Sequence, residues 1–116
     1  MDRTTFCRDV LTIAVEGGSD YWAKGKDQIR EPERGGRYIS IKVKDAEDHE
    51  DPWHLIDETE ITKAIVKIIT DDSLEISASY KAEIAGAWAT NDPCMIDCNT
   101  ADAIVQVAAY GSIVFG

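Results

Sequence analysis

Four stretches of the chain place apolar residues at helical spacing, and two shorter ones alternate with the period of a strand. In TTFCRDVLTIAVEGG, Phe6, Val10 and Ile13 share one face, with Leu11 and Ala14 beside them. Thr4 or Thr5 can cap the start, and Gly17-Gly18 can end it with one glycine at positive φ. RYISIKVKD alternates: Ile39, Ile41 and Val43 on one face, Tyr38, Ser40, Lys42 and Lys44 on the other, which predicts a half-buried strand. WHLID, residues 53–57, alternates more weakly and can pair with it across the intervening acidic turn. Between the first helix and the first strand, SDYWAKGKDQIREPERGG has poor periodicity and reads as a loop that docks Tyr21 and Trp22 on the core.

The second half reads as helical. Asp57 and Glu60 form a D-x-x-E capping box before the stripe Ile61, Ala64, Ile65, Ile68, Ile69. Asp72 and Glu75 repeat that signature before Ile76, Tyr80, Ile84, Ala87 and Trp88. Asn99 is a plausible cap for a last helix, with Asp102 at its third position, Ala101, Ile104, Val105 and Ala108 inward, and Gly111 as the stop. SIVFG remains as an apolar tail that can lie beside the hairpin as a strand. The expectation is one α+β domain over residues 1–116, with about four helices on a small antiparallel sheet. The stripes of 61–69 and 76–84 should pack on each other and on the 38–43 strand.

Composition narrows the partners. With 116 residues and 44% apolar side chains the chain can bury one core. A formal net charge of -10 argues against direct binding to a nucleic-acid backbone and favours a basic partner. The apolar run Leu11 to Val15 is too short for a signal peptide or a membrane span. Three cysteines, Cys7, Cys94 and Cys98, suit reduced thiols, and the expected location is the cytoplasm. The charge is also unevenly spread. Lys24 to Lys44 carries a net of +4, whereas Asp45 to Glu60 holds eight acids and no lysine or arginine.

Candidate chemistry is sparse. His49 and His54 lie among Asp45, Glu47, Asp48, Glu50 and Asp51, oxygen and imidazole ligands that can hold a divalent ion. The run lacks the glycine and spacing of a calcium loop, and His-x4-His is not the zinc-protease pattern, so a solvated acidic turn is favoured over a metal site. Cys94 and Cys98, in CMIDC, lack the C-x-x-C spacing of zinc or redox sites. Cys7 near a helix start can have a lowered pKa, yet a buried helix cysteine is the commoner case. Gly17-Gly18 and Gly35-Gly36 lack the strand and helix context of a phosphate loop. Asp57, Glu60, Asp72 and Glu75 have plain work at helix N-termini. Tyr21, Trp22, Trp53 and Trp88 fit core or partner contacts better than base stacking at this charge. No enzyme, cofactor or metal is expected.

The segments EGGSDYWA, KDAEDHEDPWHLID, ITKAIVKII and NTADAIVQVAAYGSIVFG resemble a family of small phage and prophage proteins. Those proteins carry EGG-x-x-YW, an acidic run, an I-x-x-x-I-x-K-I helix and an A-D-x-IVQ-x-A-x-[FY]-G-x-IV-[FY]-G ending. The match spans nearly the whole chain in order, and its C-terminal block is the most specific part. The resemblance implies a mobile-element context, in which small acidic proteins often block host defence, and it carries over no catalytic residue. The expected function is inhibition of a host defence nuclease, foremost as an anti-CRISPR protein, by direct binding or DNA mimicry. The expected contact surface is Asp45, Glu47, Asp48, Glu50 and Asp51, with Trp53 as anchor and Tyr21 and Trp22 as the next candidates. The partner is a host protein with a basic nucleic-acid-binding surface, such as a CRISPR effector subunit or a nuclease; pairing between two copies is a further option. Two alternatives stand beside this reading: a virion or DNA-packaging accessory protein, and a metal-dependent enzyme using His49 and His54.

Overall fold

A computed structural model describes residues 1–33 and 36–116. The chain is α+β, with four helices and a three-stranded antiparallel sheet. The order is α1 (Arg3–Ile13), a π-helical turn (Ala14–Gly18), β1 (Ala23–Arg30), β2 (Tyr38–Asp45), β3 (His54–Asp57), α2 (Glu58–Thr70), α3 (Ala78–Thr90), a 3-10 turn (Pro93–Met95) and α4 (Cys98–Tyr110). Gly35, from the second glycine pair considered above, lies outside the described residues.

Strand β2 is central. Ile41 faces Ile56 of β3 and Val43 faces His54, and these apolar side chains are buried beneath α1 and the neighbouring ends of α2 and α4. The helices cover that face of the sheet; on the other, Lys24, Lys26 and Leu55 are exposed while Lys44 is buried. β1 corrects the expectation of a loop. Its residues AKGKDQIR are almost all exposed, so no buried alternation marks them as a strand. They are extended because β2 offers a hydrogen-bonding edge, with Ala23 opposite Asp45 and Lys26 opposite Lys42. The register breaks between Lys26 and Ile29, where Asp27 has φ 51°. A bulge and lysines on an edge strand are features that discourage further strand addition.

The helix caps follow the expected chemistry but at shifted positions. Asp2, rather than Thr4 or Thr5, caps α1 by accepting from the Thr5 N–H at 2.7 Å. Asp57 caps α2 as predicted, accepting from Glu60 N–H at 3.1 Å. α3 starts later than the D-x-x-E pattern implies. Asp71 makes a local turn with Ser73, and Ser77 caps the helix through Tyr80 N–H. Asp72 pairs instead with Lys81 on the surface. Asp97, not Asn99, caps α4, and Gly111 ends it at φ 78° as the sequence suggests.

The isoleucine stripe of α2 is buried at Ile61, Ile65 and Ile68 and packs on α3 and α4. α3 has little contact with β2; α1 takes that place, and α3 is tied to α1 by Phe6 edge-on to Trp88 and by the Arg3 guanidinium over the Trp88 ring. α4 runs through the middle, with every residue from Thr100 to Val107 buried. A helix buried all round is what an almost uncharged sequence such as TADAIVQV permits. The tail after Gly111 forms no strand, although Phe115 stacks on Trp22 with centroids 4.7 Å apart.

Neither Gly17 nor Gly18 has a positive φ. The requirement at Gly18 is closeness: an added Cβ would sit 2.2 Å from the Cys98 carbonyl oxygen, whereas at Gly17 it would meet open space. Gly18→Ala should therefore lower the melting temperature by an amount equivalent to about 1–3 kcal/mol, and Gly17→Ala should leave it within about 0.5 kcal/mol or raise it. Equal melting curves for the two variants would contradict that packing. Ile65, fully buried, gives a coarser check: Ile65→Asp should abolish the cooperative melt, because an unpaired buried carboxylate costs several kcal/mol.

Candidate functional site

The acidic residues divide by depth. The connector from Asp45 to Trp53 is closed by successive turns in which Asp45 accepts from Glu47 N–H and Asp48 from Glu50 N–H, both at 2.9 Å. Ala46 N–H donates to the Trp22 carbonyl, which fixes the connector beside the start of β1. Glu47, Asp48 and Glu50 are exposed, and Asp45 is half-buried at the end of β2. Among the described residues none of these four has a lysine or arginine within ion-pair distance.

Asp51 differs. It turns inward, with only 9% of its side chain exposed, and accepts from Asp45 N–H (2.8 Å) and Tyr110 O–H (2.7 Å), with His54 Nε2 at 2.9 Å. Burial pushes its carboxyl up, but the three hydrogen-bonding partners outweigh burial and hold it at about 2. Tyr110 is pushed well above the usual phenol range by burial and by the Asp51 carboxylate. Asp51 is thus a pin between the connector and α4 and does not belong to the exposed surface. His54 is occupied by this pin and packs edge-on to Tyr110, while His49 is exposed on the connector. Among the described residues no group of three His, Cys, Asp or Glu side chains is placed to hold a metal ion.

The aromatic candidates separate as well. Trp22 is 4% exposed and belongs to the core rather than to the exposed surface. Its indole N–H donates to Asp102 at 2.7 Å. Tyr21 is 59% exposed, but its hydroxyl donates to the other oxygen of Asp102 at 2.7 Å. Burial, the hydrogen bond to Asp102 and the negative charge there push this phenol up to about 12. Trp53 is half-buried on the open face of the sheet, with the ammonium of Lys26 4.5 Å, Lys24 5.7 Å and Lys44 5.8 Å from its ring centroid. It sits between the acidic connector and a lysine-bearing sheet.

The carboxylate that sequence reading placed at a helix start, Asp102, is instead a buried hub. Besides Tyr21 and Trp22 it accepts from Ser19 O–H (2.7 Å) and Gln106 Nε2 (2.9 Å), with no cation among these partners. Gln106 uses its own carbonyl to accept from Val114 and Phe115 N–H, both at 2.8 Å, and so holds the C-terminal tail. EGGSDYW, ADAIVQ and SIVFG therefore meet at one point. A shallow cavity of about 390 Å³ opens beside it, lined in part by Tyr80, Asn99 and Ile113. The sequence signal was available: polar residues spaced i, i+4 inside an otherwise apolar helix, as Asp102 and Gln106 are, need partners.

Cys7 is buried, with its Sγ 3.6 Å from Thr62 Oγ1, and burial pushes its thiol up, away from the thiolate. None of the described helices is long and apolar enough to cross a membrane. No known family model, curated protein or solved structure matches the chain.

Two stability experiments follow from the buried carboxylates. Asp102→Ala strands four donors and should destabilise the protein by roughly 3–5 kcal/mol in chemical denaturation; a loss below about 1 kcal/mol would mean that water serves those donors equally well. The folded-state pKa of Asp51 lies below its unfolded value near 3.8. Its contribution is therefore present above pH 4 and is lost as pH falls through 2. Asp51→Asn should cost on the order of 1–3 kcal/mol at pH 7 and flatten the stability curve between about pH 4 and 2. An unchanged acid limb in the variant would show that other groups govern acid unfolding.

Proposed function

We propose that this chain acts by binding another protein rather than by catalysis, as a phage- or mobile-element-encoded inhibitor of a host defence nuclease. An anti-CRISPR role is the foremost form of that reading. The contact is the acidic connector, with Glu47, Asp48 and Glu50 exposed and Asp45 half-buried, and with Trp53 at its edge. The observation that carries the reading is that these carboxylates are fixed in position and unneutralised. Two Asx turns and the bond from Ala46 to Trp22 hold the connector, while no lysine or arginine among the described residues lies within ion-pair distance of these carboxylates. Like charges gathered on an ordered loop repel one another, and a basic groove on a partner relieves that repulsion and releases counterions. The resemblance to small phage and prophage proteins supplies the context.

The lysines beside the connector restrict the contact. A whole-body imitation of DNA is disfavoured, because one sheet face is basic; a single acidic edge entering a groove is the form that fits. The test uses Asp45→Asn, Glu47→Gln, Asp48→Asn and Glu50→Gln together, leaving Asp51 untouched. This variant should melt at or above the wild-type temperature. A target captured from host lysate by the wild-type protein should bind it with a slower on-rate and a flatter salt dependence. Trp53→Ala should instead raise the off-rate. Wild-type inhibition by the four-fold variant would remove the connector from the interface.

A further inference from the structure

We propose that the open face of the sheet is a homodimer surface, on which the lysines of one copy meet the acidic connector of the other. This goes beyond the nuclease reading and does not depend on it. Residues directly opposite in an antiparallel pair share a face. Lys24 faces Lys44, Lys26 faces Lys42, and Lys42 faces Leu55. The helices lie on the other side, so Lys24 and Lys26 are exposed and Lys42 is half-buried, whereas Lys44 is only 7% exposed beneath the connector and Trp53. Two directly opposed pairs of like charge destabilise a sheet unless something offsets them.

Within one copy the offset is partial. Asp27 reaches Lys42 at 3.3 Å, and Lys44 donates to the His49 carbonyl at 3.4 Å. Trp53 gives the ammonium groups an aromatic face without neutralising them. Arg30 and Arg37 are engaged elsewhere, with Glu16 and with Asp9 and Glu31. Lys24 and Lys26 have no carboxylate within ion-pair distance among the described residues. The same face exposes apolar surface, with Ile29 56% and Leu55 51% exposed.

Charge order selects the occupant. β1 begins and β2 ends beside the acidic connector, so basic and acidic patches adjoin on one side of the molecule. A polyanion laid on the lysines would run into the connector, and a polycation on the connector would run into the lysines. A second copy turned by a twofold axis presents the patches in reverse order and satisfies both at once, which is the self-complementarity an isologous dimer requires. Two eight-residue strands and one of four residues offer no more than roughly 300 Å² per copy. That is less than half of what a stable interface buries per partner, so the dimer should be weak and sensitive to salt and concentration.

Sedimentation velocity of the full chain at rising concentration, in about 50 mM and about 500 mM salt, tests this. The wild type should shift toward dimer at low salt and stay monomeric at high salt. Lys24→Glu with Lys26→Glu, and separately Asp48→Lys with Glu50→Lys, should each be monomeric at concentrations where the wild type associates, with circular dichroism melts showing both folded. Mixing the two variants should restore dimer, because each then offers the other opposite charge at both contacts. The proposal is overturned if the wild type is monomeric throughout, if neither variant alters association, or if the mixture stays monomeric. Retention of a single-stranded oligonucleotide by a monomeric wild type would assign the lysine face to a polyanion instead. Inhibition of a nuclease is a separate readout, so loss of that function leaves this result standing.

Discussion

A carboxylate in the middle of a protein needs compensation, and at Asp102 four neutral donors from two parts of the chain supply it, one of them also holding a third. Ser19, Tyr21 and Trp22 leave the π-helical turn at the end of α1; Gln106 lies one turn along α4 and also holds the tail. The close approach of Gly18 to the Cys98 carbonyl brings the first two parts near enough for those bonds. Trp22, held there by its indole N–H, then stacks on Phe115 and lies near Tyr110, so the N-terminal helix, the central helix and the tail share one anchor. Removing charge from such a hub leaves its donors without partners, which makes a polar network specify one arrangement where a purely apolar contact tolerates several.

Asp51 repeats this logic at the edge of the core and links it to the surface. By accepting from Asp45 N–H and Tyr110 O–H it fixes the acidic connector, between β2 and β3, against the end of α4. The neighbouring carboxylates are then displayed by a loop with defined turns. One uninterrupted acidic stretch thus serves three ends: Asp51 is internal structure, Asp57 caps a helix, and Glu47, Asp48 and Glu50 are left for water or a partner. The surface that results is bipolar. Trp53 stands at the boundary between four carboxylates and four sheet lysines, and both proposed interactions depend on that boundary.

The sequence by itself determined the α+β class, the position of β2 and β3, the buried stripe of α2, the cap at Asp57 and the stop at Gly111. Each of these is written in local period or local chemistry: alternation, a 3.6-residue stripe, a side chain that bonds three residues along. Tertiary structure decided the rest. β1 has no apolar face and is a strand only because β2 leaves an edge open. The start of α3 moved from Asp72 to Ser77, since several residues there can cap and packing selects among them. Trp22 docks on the core as its loop position suggests, but Asp51, in the middle of the acidic run, turns inward, and Asp102, at the third position of a helix, is the hub. Local pattern shows that a residue is polar or aromatic, but its partners at Asp102 are separated by some eighty positions in the chain, and only the folded arrangement brings them within hydrogen-bonding distance.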